Sequence, residues 1–241
     1  MSDNLITLEQ HRWDICKVYA DKGPLFKKVA DRLTAPAAMK RYQAVSNKTG
    51  VPWQVIAVIH EREASQKWDR SLAQGDPWNK KSVHVPKNRG PFNSWEDAAY
   101  DALVNCPPYA ARNKDWTPGG TLAILEKYNG LGYFRKGVPS PYIWAGTDQY
   151  VKGKYVADGV YSATTVDTQL GVAGLLKYMG MFKTGVGAAT VASGAVIAAG
   201  GATIANTPQN YWPWIIGGVV IAALIVFLGV MYNQYNKLKE T

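Results

Sequence analysis

Apolar positions recur at helical spacing through most of the first 180 residues and become continuous only near the C-terminus. The clearest periodic stretch is Val55-Ile56-Ala57-Val58-Ile59, introduced by Gly50-Val51-Pro52-Trp53 and running into His60-Glu61-Arg62-Glu63. At 3.6 residues per turn, Val55, Ile56, Val58 and Ile59 share one face, and Glu63 lies one turn past Ile59. The apolar stripe therefore leads straight to Glu63, whereas Glu61 projects away from it. Upstream, residues 5–46 read as two helices. Leu5, Leu8, Trp13, Ile15, Val18 and Tyr19 outline the first, Asp21-Lys22-Gly23-Pro24 breaks it, and Leu25, Phe26, Val29 and Leu33 form the face of the second.

Past Ser65 the chain turns polar and irregular. Within residues 66–89, Ser82-Val83-His84-Val85-Pro86 alternates and carries β-branched residues, which predicts a short strand. Ser94 then sits where an N-cap belongs, with Glu96 and Asp97 in the first turn and Ala98, Ala102 and Leu103 behind. Cys106-Pro107-Pro108 ends that helix. Thr117-Pro118-Gly119-Gly120 starts another over residues 122–128, whose end delivers Asn129 and Gly130. Residues 130–165 are rich in Tyr, Trp and Gly. Residues 167–179, with Leu170, Val172, Ala173, Leu175 and Leu176, read as a closing helix.

The composition changes near Gly185. Residues 185–205 are almost wholly small and apolar, and residues 211–232 run from Tyr211-Trp212-Pro213-Trp214 through an unbroken apolar series to Met231-Tyr232. Each meets the roughly 20-residue span requirement, and the second has aromatic residues at both ends, as expected at bilayer interfaces. The second segment reads as transmembrane. The first, with Gly187, Ser193, Gly194, Gly200 and Gly201, reads either as the other half of a helical hairpin or as a Gly/Ala linker. The organisation expected is a globular part over residues 1–182, with residues 1–46 as a helical N-terminal portion, and a membrane anchor over 183–241. Lys177 and Lys183 precede the first segment and Lys237 and Lys239 follow the second. If both segments span, both termini face the cytoplasm; if only the second spans, the globular part faces outward.

A net charge of +9 is dispersed, without the Lys/Arg run of a nucleic-acid arm, so no nucleic-acid partner is expected. A basic surface suits an anionic wall or an acidic membrane. Two distant cysteines, Cys16 and Cys106, give no metal or redox spacing, and His11, His60 and His84 are too scattered for a zinc site. Neither metal nor organic cofactor is implied. Met1-Ser2-Asp3-Asn4 lacks the basic and apolar regions of a signal peptide, so export by that route is not expected.

Candidate chemistry centres on Glu63. A carboxylate at the edge of an apolar helix face is partly desolvated, which raises its pKa toward the range a general acid needs. The other reading of this position is a solvated helix end with a salt bridge. Asp76, in Gly75-Asp76-Pro77, is the candidate for a second carboxylate, with turn formation before proline as its alternative. Aromatic loops such as 130–165 suit sugars, because aromatic faces stack on pyranose C–H surfaces while Tyr and Asn satisfy hydroxyls.

Arg62-Glu63-Ala64-Ser65 resembles the element on which the lysozyme-like superfamily carries its catalytic acid, with Ala64 in place of the usual Ser. Tyr128-Asn129-Gly130 resembles the Tyr-Asn-Gly element of goose-type lysozymes and lytic transglycosylases. From about Gly50 to Met179 the order of blocks is similar to that of phage and prophage peptidoglycan hydrolases (endolysins): His60 to Glu63, Gly75-Asp76-Pro77, Trp95-Glu96, then Ser140-Pro141-Tyr142-Ile143-Trp144-Ala145-Gly146-Thr147. The resemblance implies an α+β, predominantly helical lysozyme-like domain with a small β-hairpin near residues 82–86, followed by one or two C-terminal transmembrane helices. It implies cleavage of the β-1,4 bond between N-acetylmuramic acid and N-acetylglucosamine, with Glu63 as acid and Asp76 as second carboxylate if one is used. His60, Tyr128, Asn129, Gly130, Tyr142 and Trp144 would contact the glycan. The partners implied are glycan strands, a bacterial inner membrane or virion membrane, and holin or virion components that would carry the domain across. The Gly-rich hairpin permits a homo-oligomer. The competing expectation is a glycan-binding membrane assembly or pore protein without catalysis.

Overall fold

The computed structural model describes residues 2–157 and 159–182. The two apolar segments expected to span a membrane, 185–205 and 211–232, lie outside the described residues. Among the described residues, no helix is long and apolar enough to cross a membrane.

Helix α4 (Trp53–Ala64) holds the centre, and every residue from position 55 to position 60 is buried. A helix apolar around most of its circumference must be covered on several sides. Helices α2 (Gly23–Leu33), α3 (Pro36–Thr49) and α9 (Val172–Tyr178) supply that cover. Residues 5–46 thus contain three helices rather than two: α1 (Ser2–Ile15), α2, and α3 up to Thr49. Proline disfavours the helical region for the residue before it, so Ala35 is extended (ψ 138°) and Pro36 opens α3 as its first helical residue.

Helix α5 (Trp95–Val104) packs on α3, and its N-cap is the one expected: the Ser94 hydroxyl accepts from the Asp97 N–H at 3.1 Å. Helix α6 (Pro118–Asn129) is capped by Thr117 and lies along α1. Short helices α7 (Gly132–Lys136) and α8 (Pro141–Trp144) follow. α9 meets α2 through Gly174, where a Cβ would run into the Phe26 ring, so only glycine permits this approach. The closing helix is shorter than residues 167–179 suggest: residues 167–170 are not helical, and the helix begins only at Val172.

Among the described residues the fold is predominantly helical with one small antiparallel sheet, β1 (Lys154–Ala157) and β2 (Val160–Ser162), paired Tyr155↔Tyr161. This hairpin lies about 70 residues beyond the predicted one. Residues 82–86 form no strand: Val83 and Val85 are 69% and 79% exposed, so their alternation has no face to bury. The loop instead folds on itself, with the Ser82 hydroxyl donating to the Pro86 carbonyl at 2.8 Å and the Ser82 N–H to the Arg89 carbonyl at 2.9 Å. Both cysteines are buried and free.

Candidate active site

The end of α4 is pinned by the two residues that follow it, Ser65 and Gln66. Ser65 and Gln66 both have positive φ (50° and 57°), a conformation that costs a non-glycine residue unless its surroundings hold it. Gln66 is held on three sides. Its amide donates to the Tyr42 hydroxyl at 3.1 Å and to the Arg32 carbonyl at 3.3 Å, and it accepts from the Arg32 guanidinium at 2.8 Å. The helix therefore stops one turn after His60, with Arg62 and Glu63 on its last turn.

Glu63 is half-buried, and its Oε1 accepts from the Tyr142 hydroxyl at 3.0 Å. Burial raises its carboxyl; the Tyr142 hydrogen bond and the Arg62 charge pull the other way, and the balance is a pKa of about 7. Tyr142 is itself pushed well above its ordinary range by burial, so it remains a hydroxyl that donates. It comes from α8, which Ser140 and Pro141 begin.

Tyr142 also lines a cleft of about 520 Å³, together with Arg62, Asn129, Gly130, Tyr133, Lys154 and Tyr155. Glu63 is not itself among the lining residues. It borders the cleft through Tyr142 and Arg62, whose guanidinium lies 4.8 Å from the Tyr142 ring centre. Asn129 is exposed at the rim and donates to the Ser140 hydroxyl at 3.4 Å; Gly130 (φ 94°) lets the chain turn beside it. Tyr128 is turned from the rim, its hydroxyl donating to the Leu72 carbonyl at 3.0 Å, yet it stays close enough to feel the Glu63 charge.

Asp167, which sequence reasoning placed only at the start of a helix, also lines this cleft. Its carboxylate accepts from Arg62 at 3.1 Å, from Lys154 at 3.3 Å and from the Gln169 N–H at 3.2 Å. Burial would raise it, but Arg62, that N–H and Lys154 together hold it below the usual carboxylate range. The two carboxyl groups thus differ in state near neutral pH, one half-protonated and one fully ionised. No short-range motif marks Asp167: its cations, Arg62 and Lys154, come from 105 and 13 residues away.

Besides Tyr128, three expected site residues lie away from the cleft. His60 is fully enclosed among Tyr42, Trp68 and Trp95, with Nε2 on the Lys67 carbonyl and Nδ1 on the Tyr42 hydroxyl, both at 3.0 Å. A carbonyl only accepts, so Nε2 carries the proton and Nδ1 accepts. Burial lowers its pKa to about 4, and a side chain closed off in this way cannot touch a glycan. Trp144 is fully buried as well, its indole N–H donating to Glu9 at 2.8 Å, so it supports the core rather than a subsite. Asp76 is buried and does not line the cleft. Its oxygens accept from the Val83 and His84 N–H groups at 2.9 and 3.0 Å and meet His84 Nδ1 at 2.7 Å. Burial alone would raise Asp76, but the His84 backbone and ring and the Val83 N–H leave it lowered. It anchors the 76–89 loop.

Among the described residues, no group of three or more His, Cys, Asp or Glu side chains is arranged to hold a metal ion. Compared with protein-family models, with curated proteins and with solved structures, the chain matches none.

Proposed function

We propose that the chain is a glycosidase acting on peptidoglycan, with Glu63 as its proton donor. One observation carries this reading: a carboxyl that burial holds near pKa 7 stands at the edge of a sugar-sized, tyrosine-lined cleft, oriented by a phenol. Glu63 would protonate the glycosidic oxygen as the C1–O bond breaks. A hydrolase of the usual kind needs a second free carboxylate. Asp76 is held by its own loop, and Asp167 is neutralised by Arg62 and Lys154. That favours the one-acid route of a lytic transglycosylase: the substrate's own C6 hydroxyl attacks C1 and returns its proton to Glu63, leaving a 1,6-anhydro end. Asn129 and Tyr142 would position the sugar. The apolar segment 211–232 would hold the protein at a membrane beside the wall, with a lysozyme-like body as the catalytic part.

The test uses the full chain in detergent. Wild type should release soluble muropeptides with 1,6-anhydro ends from purified murein, read by mass spectrometry. Glu63→Gln should lower the rate at least about 100-fold, the scale of general acid catalysis. Reducing ends would make the enzyme a hydrolase. Full activity of the variant would remove Glu63 from the role, and binding without release would favour a glycan-binding protein.

A further inference from the structure

A second pocket of about 360 Å³ adjoins the cleft and shares Arg62 and Gln169 with it. That is at the small end of the ~300–1,000 Å³ range of ligand sites. The partition between the two is the segment 167–170, which turns at Gln169, whose N–H donates to the Asp167 carboxylate at 3.2 Å. Asp167 lines the cleft, Thr168 and Leu170 line the second pocket, and Gln169 lines both. Arg62 holds the partition in place, one nitrogen on Asp167 at 3.1 Å and another on the Leu170 carbonyl at 3.3 Å.

The far wall is α2. Leu25, Lys28, Val29 and Arg32 recur at three- and four-residue spacing and present one mixed face, apolar and basic, to the pocket. Arg32 is committed to Glu61 at 2.7 Å and to Gln66 at 2.8 Å. Lys28 pairs with no carboxylate among the described residues and is exposed. The pocket thus combines one uncommitted cation, Lys28, a carboxylate, Glu61, already paired with Arg32, and an apolar lining of Leu25, Val29 and Leu170.

We propose that this pocket takes the peptide branch of the same glycan strand, with Lys28 pairing with a peptide carboxylate. The proposal rests on the glycan reading above. Murein carries, on every second sugar, a lactyl-linked peptide with free carboxylates and methyl-bearing residues. A strand lying in the cleft must place that branch somewhere. The adjoining pocket, which shares a wall with the cleft, matches both the charge and the apolar character of such a branch.

The experiment compares two substrates with the full chain: intact murein and glycan strands stripped of peptide by an amidase. For wild type, Lys28→Arg and Lys28→Glu, the quantity read is the ratio of kcat/KM on the two. Lys28→Glu should shift that ratio against peptide-bearing murein by about tenfold, and Lys28→Arg should hold it near wild type. An unchanged ratio in Lys28→Glu overturns the proposal, as does an equal loss on both substrates. Should wild type cut neither substrate, the cleavage reading fails. Titration of a muramyl-tripeptide then decides the pocket alone: about tenfold weaker binding to Lys28→Glu supports it, and equal affinity overturns it.

Discussion

Burial moves the Glu63 carboxyl from an ordinary 4.5 to about 7, so between those values the folded chain keeps a proton that the unfolded chain has released. For a raised acid, the stabilising contribution is complete below the unfolded pKa and is lost as pH rises through the folded one. A charge at this position therefore weakens the fold above neutrality, a cost tied to the proton that catalysis would use. Glu63→Gln keeps the shape and cannot ionise. Urea denaturation should show the variant more stable than wild type by about 1–3 kcal/mol at pH 8 and equal to it at pH 4. Equal stability at both pH values would mean that the carboxylate is well solvated in the folded chain. The kcat/KM of the wild type should decline above about pH 7, as the acid loses its proton.

The last turn of α4 and the segment 167–170 before α9 depend on each other through Arg62 and Asp167, whose side chains are each only 6% exposed. Removing one partner of a buried pair leaves the other charge uncompensated. Arg62 already has an unpartnered buried Nε, so it has little else to turn to. Asp167→Asn is expected to destabilise the chain by about 3 kcal/mol, read by denaturation at pH 7; a loss below about 0.5 kcal/mol would show that water reaches the pair. This pairing also marks where the sequence stops being legible. Helix α4, the Ser94 cap and the Thr117 start of α6 rest on neighbours within four residues, and all three were visible in the spacing. The position of the hairpin was not, because Val83 and Val85 alternate like a strand yet have nothing to pack against, whereas β1 and β2 dock through Tyr133, whose hydroxyl accepts from the Tyr155 N–H at 3.0 Å. His60 and Trp144 looked like sugar contacts by their place in motifs. Only the tertiary packing of Trp68, Trp95 and Glu9 around them shows that they face inward. Asn129, Gly130 and Tyr142 do reach the cleft, since each sits at a helix end or start that local signals could locate.

Among the described residues, buried titratable groups pull the pH dependence of stability in opposite directions. Burial raises Glu126, as it does Glu63, to about 7, and it raises Glu9 as well; one Glu126 oxygen has no hydrogen-bond partner. Between about pH 4.5 and 6.5 the unfolded chain releases protons that the folded chain keeps on Glu63 and Glu126, so both lower stability as pH rises. His60 acts oppositely in that window, because burial holds it neutral in the folded chain while the unfolded chain binds a proton. Glu63 and Glu126 against His60 leave a net loss of at least about 1.4 kcal/mol per pH unit, to which Glu9 adds in the same direction, steepening between about 6.5 and 7 once His60 no longer titrates in either state. Below about pH 4.5 the sign reverses. There the unfolded chain protonates carboxylates that Arg62, Arg89 and Arg41 hold low in the folded one, namely Asp167, Asp101 and Glu96, and His60 adds to the same slope. The stability maximum is therefore expected near pH 4.5, with about 4 kcal/mol lost by pH 8. Calorimetry or urea titration at pH 5, 6.5 and 8 and constant ionic strength measures this directly. A stability that is level or rising over that range would mean that Glu63 and Glu126 are solvated in the folded chain, and the physical basis for a proton donor at the cleft would go with it.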